Sequence, residues 1–318
     1  MAATERIGRA DTADYRTPPT SAGVAEPPDW ASHALGRERR MGRVVCDGVT
    51  IRYLSWGDPA APATVLVHGG AAHAMWWAPL AALLDHGGHV VALDLSGHGL
   101  SDHRPVYSVG TWAREVVAVA EAVSPDPATI VAHSLGGIAS SVVLTDPALA
   151  EHVRRVVLVD TPAWPDAPAP EQPLAEREVR PHRIYAAAAE GVARFRLVPP
   201  QPCDNDWYVD HIAWHGLRPV DEPHAPAAGV QWRFDPRIFA NPTGDHQIVR
   251  FGGDLDEACR PFAVVMGERS YLAEGARRAL AGRPDTPLLF VPDAAHHVML
   301  DQPLSLLSTL RSLLTTWP

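Results

Sequence analysis

Residues Thr129 to Gly137 read Thr-Ile-Val-Ala-His-Ser-Leu-Gly-Gly, and the architecture follows from them. A short β-branched run, Thr129 to Val131, drives straight into His133-Ser134-Leu135-Gly136-Gly137. Ile138 to Leu144 then reads as a buried helix. A strand, one Ser and small residues on both sides describe a sharp strand–turn–helix elbow that holds up a nucleophile. Such a turn forces its Ser into a strained backbone conformation. The residues two before and two after must be small, as Ala132 and Gly136 are. The usual pattern has Gly at the first of these places, and a methyl group is the next smallest choice. The plain alternative is a Ser in an ordinary strand–helix turn.

On either side of the elbow, apolar strands alternate with helices. Met41 to Trp56 reads as two strands joined at Asp47-Gly48, a strong hairpin signal. Thr64 to Val67 is a fully apolar strand ending in His68-Gly69-Gly70, and a helix runs from Met75 to Leu84. The strand His89 to Leu93 ends in Asp94-Leu95-Ser96-Gly97-His98-Gly99-Leu100-Ser101-Asp102. A helix over Thr111 to Val123 precedes the elbow strand, and Arg155 to Asp160 is a further buried strand. The rhythm resumes with a strand at Pro261 to Met266, a helix near Leu272 to Leu280, a strand at Pro287 to Val291 and a helix from Leu304 to Leu314. Alternating units around apolar strands predict a mostly parallel central sheet with helices on both faces.

Two stretches stand outside that rhythm. Residues 1–40 are rich in Pro, Ala and charge and are expected to be a mobile arm or a surface strap, with Trp30 at its end. Residues 161–253 carry Trp164, Trp207, Trp214 and Trp232 without alternation, with one helical signal at Ala186 to Phe195. They are expected to form an inserted, mainly helical cap, leaving 41–160 and 254–318 as the α/β core.

Composition removes whole classes of chemistry. The net charge of -10 argues against a nucleic-acid partner. All 27 basic residues are Arg, which excludes Schiff-base lysines, Ser-Lys dyads and Walker-type phosphate loops. The Arg, Ala and Pro usage points to a high-GC bacterial gene. Cys46, Cys203 and Cys259 are scattered and odd in number, giving no metal spacing and no disulfide framework. The chain opens without the apolar run of a signal peptide, and no run approaches the ~20 residues of a membrane span. A cytoplasmic protein without a membrane, metal or organic-cofactor partner is expected.

Ligands of such sheets bind beyond the carboxyl ends of the strands. Ser134 lies there. So does His296, in the loop between the last strand and the last helix, with His297 as its rival. A neutral imidazole there takes the Ser proton and returns it to the leaving group. An acid must orient that imidazole, and two strand ends supply one: Asp160 and Glu268. Asp160 follows an unbroken apolar strand, where a carboxylate needs a partner. A turn-forming role for Asp160 and a surface ion pair for Glu268 are the alternatives. The backbone N–H groups of Gly70 and Leu135 are the expected oxyanion donors.

Taken together, His68-Gly69-Gly70, the 94–102 loop, the 132–137 elbow and Ala294-Ala295-His296-His297-Val298-Met299-Leu300-Asp301-Gln302-Pro303 resemble the α/β-hydrolase superfamily from about Val44 to Leu314. The resemblance implies that His296 is the catalytic His, with Ala295 in place of the family's Gly. The family's usual acid position, after the seventh strand, holds Ser270 here. A subset of the superfamily takes its acid from the end of the sixth strand, which corresponds to Asp160. Relatives with epoxide hydrolase or dehalogenase activity use an Asp nucleophile, so Ser134 argues against both.

The function expected is a serine hydrolase acting on a carboxylic ester or lactone. Trp164, Trp207, Trp214 and Trp232 of the cap, with His73, Trp76 and Trp77 near the oxyanion loop, suggest a bulky apolar substrate, although each aromatic taken alone more often fills a small core. Carbon–carbon bond hydrolysis, cofactor-free perhydrolase or lyase chemistry, and a ligand receptor with vestigial hydrolysis are the rival readings, and a homodimer is left open.

Overall fold

A computed structural model of the protein describes residues 5–6, 15, 25–84, 87–164, 179–220, 229–239 and 255–317. The elbow strand lies in the middle of a nine-stranded sheet. In chain order the sheet uses β1 (Glu5–Arg6), β2 (Arg40–Cys46), β3 (Val49–Gly57), β4 (Ala63–Val67), β5 (His89–Leu93), β6 (Ala128–His133), β7 (Val153–Val159), β10 (Phe262–Gly267) and β11 (Leu288–Val291). Their spatial order is β1-β2-β3-β5-β4-β6-β7-β10-β11. From β5 to β11 every neighbouring pair is parallel, while β3 runs antiparallel to both β2 and β5. The hairpin between β2 and β3 turns at Asp47 (φ 48°) and Gly48 (φ 76°), the doubly positive geometry that Asp-Gly supplies. The two-residue edge strand β1 is the one addition to the expected sheet.

Side-chain alternation divides the core in two. Val65, Val67, Ile130 and Ala132 face the layer of α3 (Val109–Val123) and α4 (Leu135–Thr145). Leu66, Val131 and Val157 face α1 (Asp29–Gly36), α2 (Ala78–Leu84) and α9 (Pro303–Thr316). Strands with apolar groups on both faces are wholly buried, which is why they read as unbroken hydrophobic runs. The helix expected from Met75 begins instead as a 3-10 turn at Ala74–Trp76 and becomes α-helical at Ala78. Among the described residues no helix is long and apolar enough to cross a membrane.

Between β7 and β10 the chain forms α5 (Ala188–Arg194), α6 (Asp206–His215) and a small antiparallel pair, β8 (Leu217–Pro219) with β9 (Val230–Trp232). The described part of this segment thus adds a small strand pair to its helices, and α6 carries no clear sequence signal. Helix α7 (Ala273–Leu280) follows β10, and the short α8 (Val298–Asp301) precedes α9.

The described parts of the N-terminal stretch are anchored on the core. Helix α1 buries Ala31 and Ala34 in the core. Tyr15 is 3% exposed and donates a 2.7 Å hydrogen bond to Asp94 Oδ2.

Candidate active site

The elbow is fixed by contacts that leave no room for a side chain. Ser134 takes φ 50° and ψ -117°, between the last residue of β6 and the first of α4. A non-Gly residue at positive φ is strained, and such strain persists where the surroundings over-determine it. Here the Ser134 N–H donates to the Val159 carbonyl at 3.1 Å. A Cβ at Gly136 would lie 2.5 Å from the backbone carbonyl oxygen of His68. Only a residue without a side chain lets α4 begin that close to the end of β4.

The end of β7 carries the second strained residue. Asp160 has φ 41°, is fully buried, and its N–H donates to the Val265 carbonyl at 2.8 Å. Both oxygens of its carboxylate are engaged. Oδ2 accepts the Gly267 N–H at 2.8 Å, and Oδ1 accepts the Ser270 hydroxyl at 2.6 Å. Oδ1 also lies 2.8 Å from His296 Nδ1. His296 Nε2 in turn lies 3.1 Å from Ser134 Oγ. A carboxylate at Nδ1 fixes that proton on Nδ1 and leaves the Nε2 lone pair facing the hydroxyl. One hydrogen-bonded line thus runs Asp160–His296–Ser134 from the ends of β7, β11 and β6.

Glu268, the other acid considered, is not brought to His296. Its side chain is exposed, and its Oε2 accepts the Asp293 N–H at 3.3 Å. His297, the other imidazole considered, points elsewhere. Its Nε2 meets the Pro199 carbonyl at 3.3 Å, and burial beside His296 pulls it down to about 3.

The loop after β4 is held by His68. The Leu95 N–H donates to His68 Nε2 at 3.1 Å, so Nδ1 carries the proton and donates to the Gly69 carbonyl at 2.7 Å. Burial drives His68 well below the ordinary imidazole range, which keeps this neutral tautomer in place. A side chain at Gly69 would come within 3.3 Å of the Ser134 Cβ, and one at Gly70 within 3.6 Å of the Leu135 side chain. Leu135 opens α4, where the backbone N–H has no partner within the helix. Gly69 therefore lies against Ser134, and Gly70 against Leu135, the residue that follows it. Phe239, from the segment between β7 and β10, stands 3.0 Å from where a Gly70 side chain would begin.

The aromatic residues read as substrate contacts are placed differently. Trp207 stacks on Tyr208 at 4.6 Å and meets the edge of Trp30 at 5.6 Å. Trp164 lies in the core, and its indole occupies the space a side chain at Gly275 of α7 would need. These contacts make both residues packing groups in this structure. His73 holds α6 in place, with Nε2 3.0 Å from the Ile212 carbonyl. Trp214 is partly buried on the same helix. Trp76 comes nearest to the histidines, its ring 5.5 Å from that of His297.

Several further residues support the site. Ser270 and the Gly267 N–H fix Asp160, and His133 Nε2 donates to the His296 carbonyl at 3.0 Å. Asp301 accepts the Ala295 N–H at 2.7 Å, and Gln201 reaches across to Asp301 and to the His297 N–H. Of these, Ser270 holds the family's usual acid position and Asp301 lies in the 294–303 stretch, while Gly267, His133 and Gln201 carry no signal of their own.

Comparison with known proteins gives a consistent picture. A family model described as "Alpha/beta hydrolase family" matches residues 64–308. Epoxide hydrolase A of Mycobacterium tuberculosis is 34% identical over 130 residues, 39% of this chain and 39% of that protein. Methylesterase 9 of Arabidopsis thaliana is 25% identical over 264 residues, 80% of this chain and 98% of that protein. The solved structure of E-2-(acetamidomethylene)succinate hydrolase superposes with a TM-score of 0.69 at 22% identity, covering 87% of this chain and 99% of that one.

Proposed function

Because this chain belongs to the alpha/beta hydrolase family, we propose that it is a serine hydrolase that cleaves a carboxylic ester or lactone of a bulky apolar substrate through an acyl-enzyme. The observation that carries this reading is the line of hydrogen bonds from Ser134 through His296 to Asp160. Ser134 Oγ attacks the carbonyl carbon as its proton passes to His296 Nε2. Asp160 holds the Nδ1 proton and balances the imidazolium that forms. The Gly70 and Leu135 N–H groups receive the negative oxygen. The tetrahedral adduct collapses, the leaving alkoxide takes the proton from Nε2, and the acyl group stays on Ser134. Water then repeats the sequence with His296 as base and releases the acid.

The segment between β7 and β10 serves in this reading as a cap. Phe239 over Gly70, with Leu135 and Trp76, gives the acyl group an apolar wall. A serine at the elbow supports acyl transfer over the Asp-nucleophile chemistry of epoxide hydrolases. A panel of p-nitrophenyl esters and macrocyclic lactones, with a fluorophosphonate probe, tests the proposal. Hydrolysis of at least one class and rapid labelling, both abolished in Ser134→Ala, are expected. A folded wild-type protein that takes no label overturns it.

A further inference from the structure

Behind the catalytic line sits a group of imidazoles that the acyl-transfer reading does not use. His133, His296 and His297 pack with ring centroids 5.0, 5.0 and 5.9 Å apart. One ligating nitrogen from each ring lies within 4.8 Å of the other two. All three side chains are buried, at 2%, 4% and 4% exposure.

The hydrogen bonds fix where the lone pairs are. His133 Nε2 and His297 Nε2 both face backbone carbonyls, of His296 and Pro199, so each carries its proton there. Their Nδ1 atoms are then unprotonated, and both are buried without a hydrogen-bond partner among the described residues. An orphaned buried acceptor is costly and needs an explanation. An imidazole whose N–H is anchored on a carbonyl while its other nitrogen is free has the arrangement of a metal ligand with its outer support in place. Burial keeps both rings neutral, as a ligand must be.

We propose that His133, His296 and His297 form a binding site for a divalent transition-metal ion of the zinc, cobalt or copper class, and that its occupancy switches the enzyme off. Imidazole donors suit these ions. In a tetrahedral zinc site with bonds of about 2.0–2.1 Å the donor nitrogens stand about 3.3 Å apart, closer than the 4.8 Å within which one nitrogen of each ring already lies, so the rings move inward on binding. The free lone pair of His296 is on Nε2, the one that accepts the Ser134 proton. An ion that takes it leaves Ser134 without a base. Ser134 is partly exposed, so the ion enters from the same side as the substrate. The inhibition rests on the proposed role of His296, whereas the binding does not.

The test starts from chelator-treated, full-length protein titrated with cobalt(II) and followed by visible absorption. One cobalt per chain is expected, with the intense bands of a four-coordinate site that zinc bleaches on displacement. Fluorophosphonate labelling of Ser134 should slow in step with occupancy and recover on adding chelator. His133→Asn and His297→Asn should each weaken cobalt binding about tenfold or more, with His297→Gln as the second variant should one of them fail to fold. Absence of saturable 1:1 binding, or binding unchanged in folded His133→Asn and His297→Asn, overturns the site. Because the absorption reads binding without turnover, a protein that binds cobalt and takes no label refutes only the acyl-transfer reading. An active esterase that binds no cobalt refutes only the metal site.

Discussion

The strand ends that carry Ser134, Asp160 and His296 and the segment that lies between β7 and β10 are held by different forces. At the strand ends, backbone meets backbone. Ser134 and Asp160 both sit at positive φ, each pinned by an N–H to a neighbouring strand, and both carboxylate oxygens of Asp160 are partnered. In the other segment, rings meet rings. Trp207 stacks on Tyr208, His211 packs 4.6 Å from His215, and Trp232 meets Tyr185 and Phe195. Hydrogen-bonded strand ends tolerate almost no displacement, while aromatic packing can be rearranged at modest cost. Under the proposed function, the first region suits a fixed chemistry and the second a variable fit to substrate.

The sharpest attempt to break this contrast is to remove charge from the proposed triad without changing its shape. Asp160→Asn keeps the volume but lets the wrong His296 tautomer form. It should lower kcat by about 10⁴-fold, as measured for the same change elsewhere. Glu268→Gln, on the exposed neighbour, should leave kcat within about twofold, since surface contacts of this kind contribute about 1 kcal/mol or less. Reversal of the two outcomes would transfer the acid role to Glu268.

Acid should act on both regions, through His211 between β7 and β10 and through His98 and His297 in the loops after β5 and β11. Burial pulls His98 and His211 down to about 4 and His297 to about 3 in the folded chain. In the unfolded chain each returns to about 6.5. Below that pH the unfolded state binds the extra protons, so stability falls as pH drops from about 6.5 towards 4 and levels off beneath the folded values. Each fully differential imidazole contributes a slope of about 1.4 kcal/mol per pH unit. His211→Gln, on α6, should flatten the slope of unfolding free energy against pH by about that amount, measured by urea titration between pH 4 and 7. An unchanged slope would mean that His211 titrates normally in the folded chain.

Two glycines sharpen the comparison on a smaller scale. A methyl group at Gly136 meets the His68 carbonyl oxygen, which belongs to a strand end and cannot yield. Gly136→Ala should cost about 1–3 kcal/mol in thermal or urea unfolding. A methyl group at Gly191 of α5 meets the Leu217 side-chain tips at 2.8 and 3.0 Å, which can rotate away. Replacing Gly inside a helix also gains about 1 kcal/mol. Gly191→Ala should therefore fall within about 1 kcal/mol of the wild type.

The same division explains what could be read from the chain. Buried parallel strands announce themselves as apolar runs, and the elbow and the Asp301-Gln302-Pro303 loop carry their roles in local spacing. The parallel strands, Ser134 and His296 follow from such signals, and Asp160 was one of the two acids they offered. Helix α6 does not, because tertiary contacts hold it: Tyr208 donates to the Trp76 carbonyl at 2.8 Å, and His73 meets the Ile212 carbonyl. Tyr15 is an isolated aromatic in a Pro-rich stretch, and only the folded chain brings it to Asp94. Trp164 and Trp207 show the opposite limit. Aromatic content was legible, but the faces those rings would spend on protein were not.

Ser270 gives the finest test, because it occupies the place where most of the family would carry the acid. Its hydroxyl donates to Asp160 Oδ1 at 2.6 Å, and Oδ1 also faces His296 Nδ1 at 2.8 Å. The hydroxyl therefore fixes the acid's position without supplying its charge. Ser270→Ala removes one donor from a carboxylate that keeps the Gly267 N–H. It should cost about 1 kcal/mol, which is about tenfold in kcat at most. A side chain at 270 already reaches the carboxylate that orients His296, so Ser270→Asp combined with Asp160→Asn should recover at least about tenfold of the loss in Asp160→Asn alone. Recovery would show that the fold accepts the acid from either β7 or β10, and that only the oxygen beside Nδ1 matters. Absence of any recovery, with Ser270→Ala nearly as damaging as Asp160→Asn, would mean that the hydroxyl itself takes part in setting the His296 tautomer.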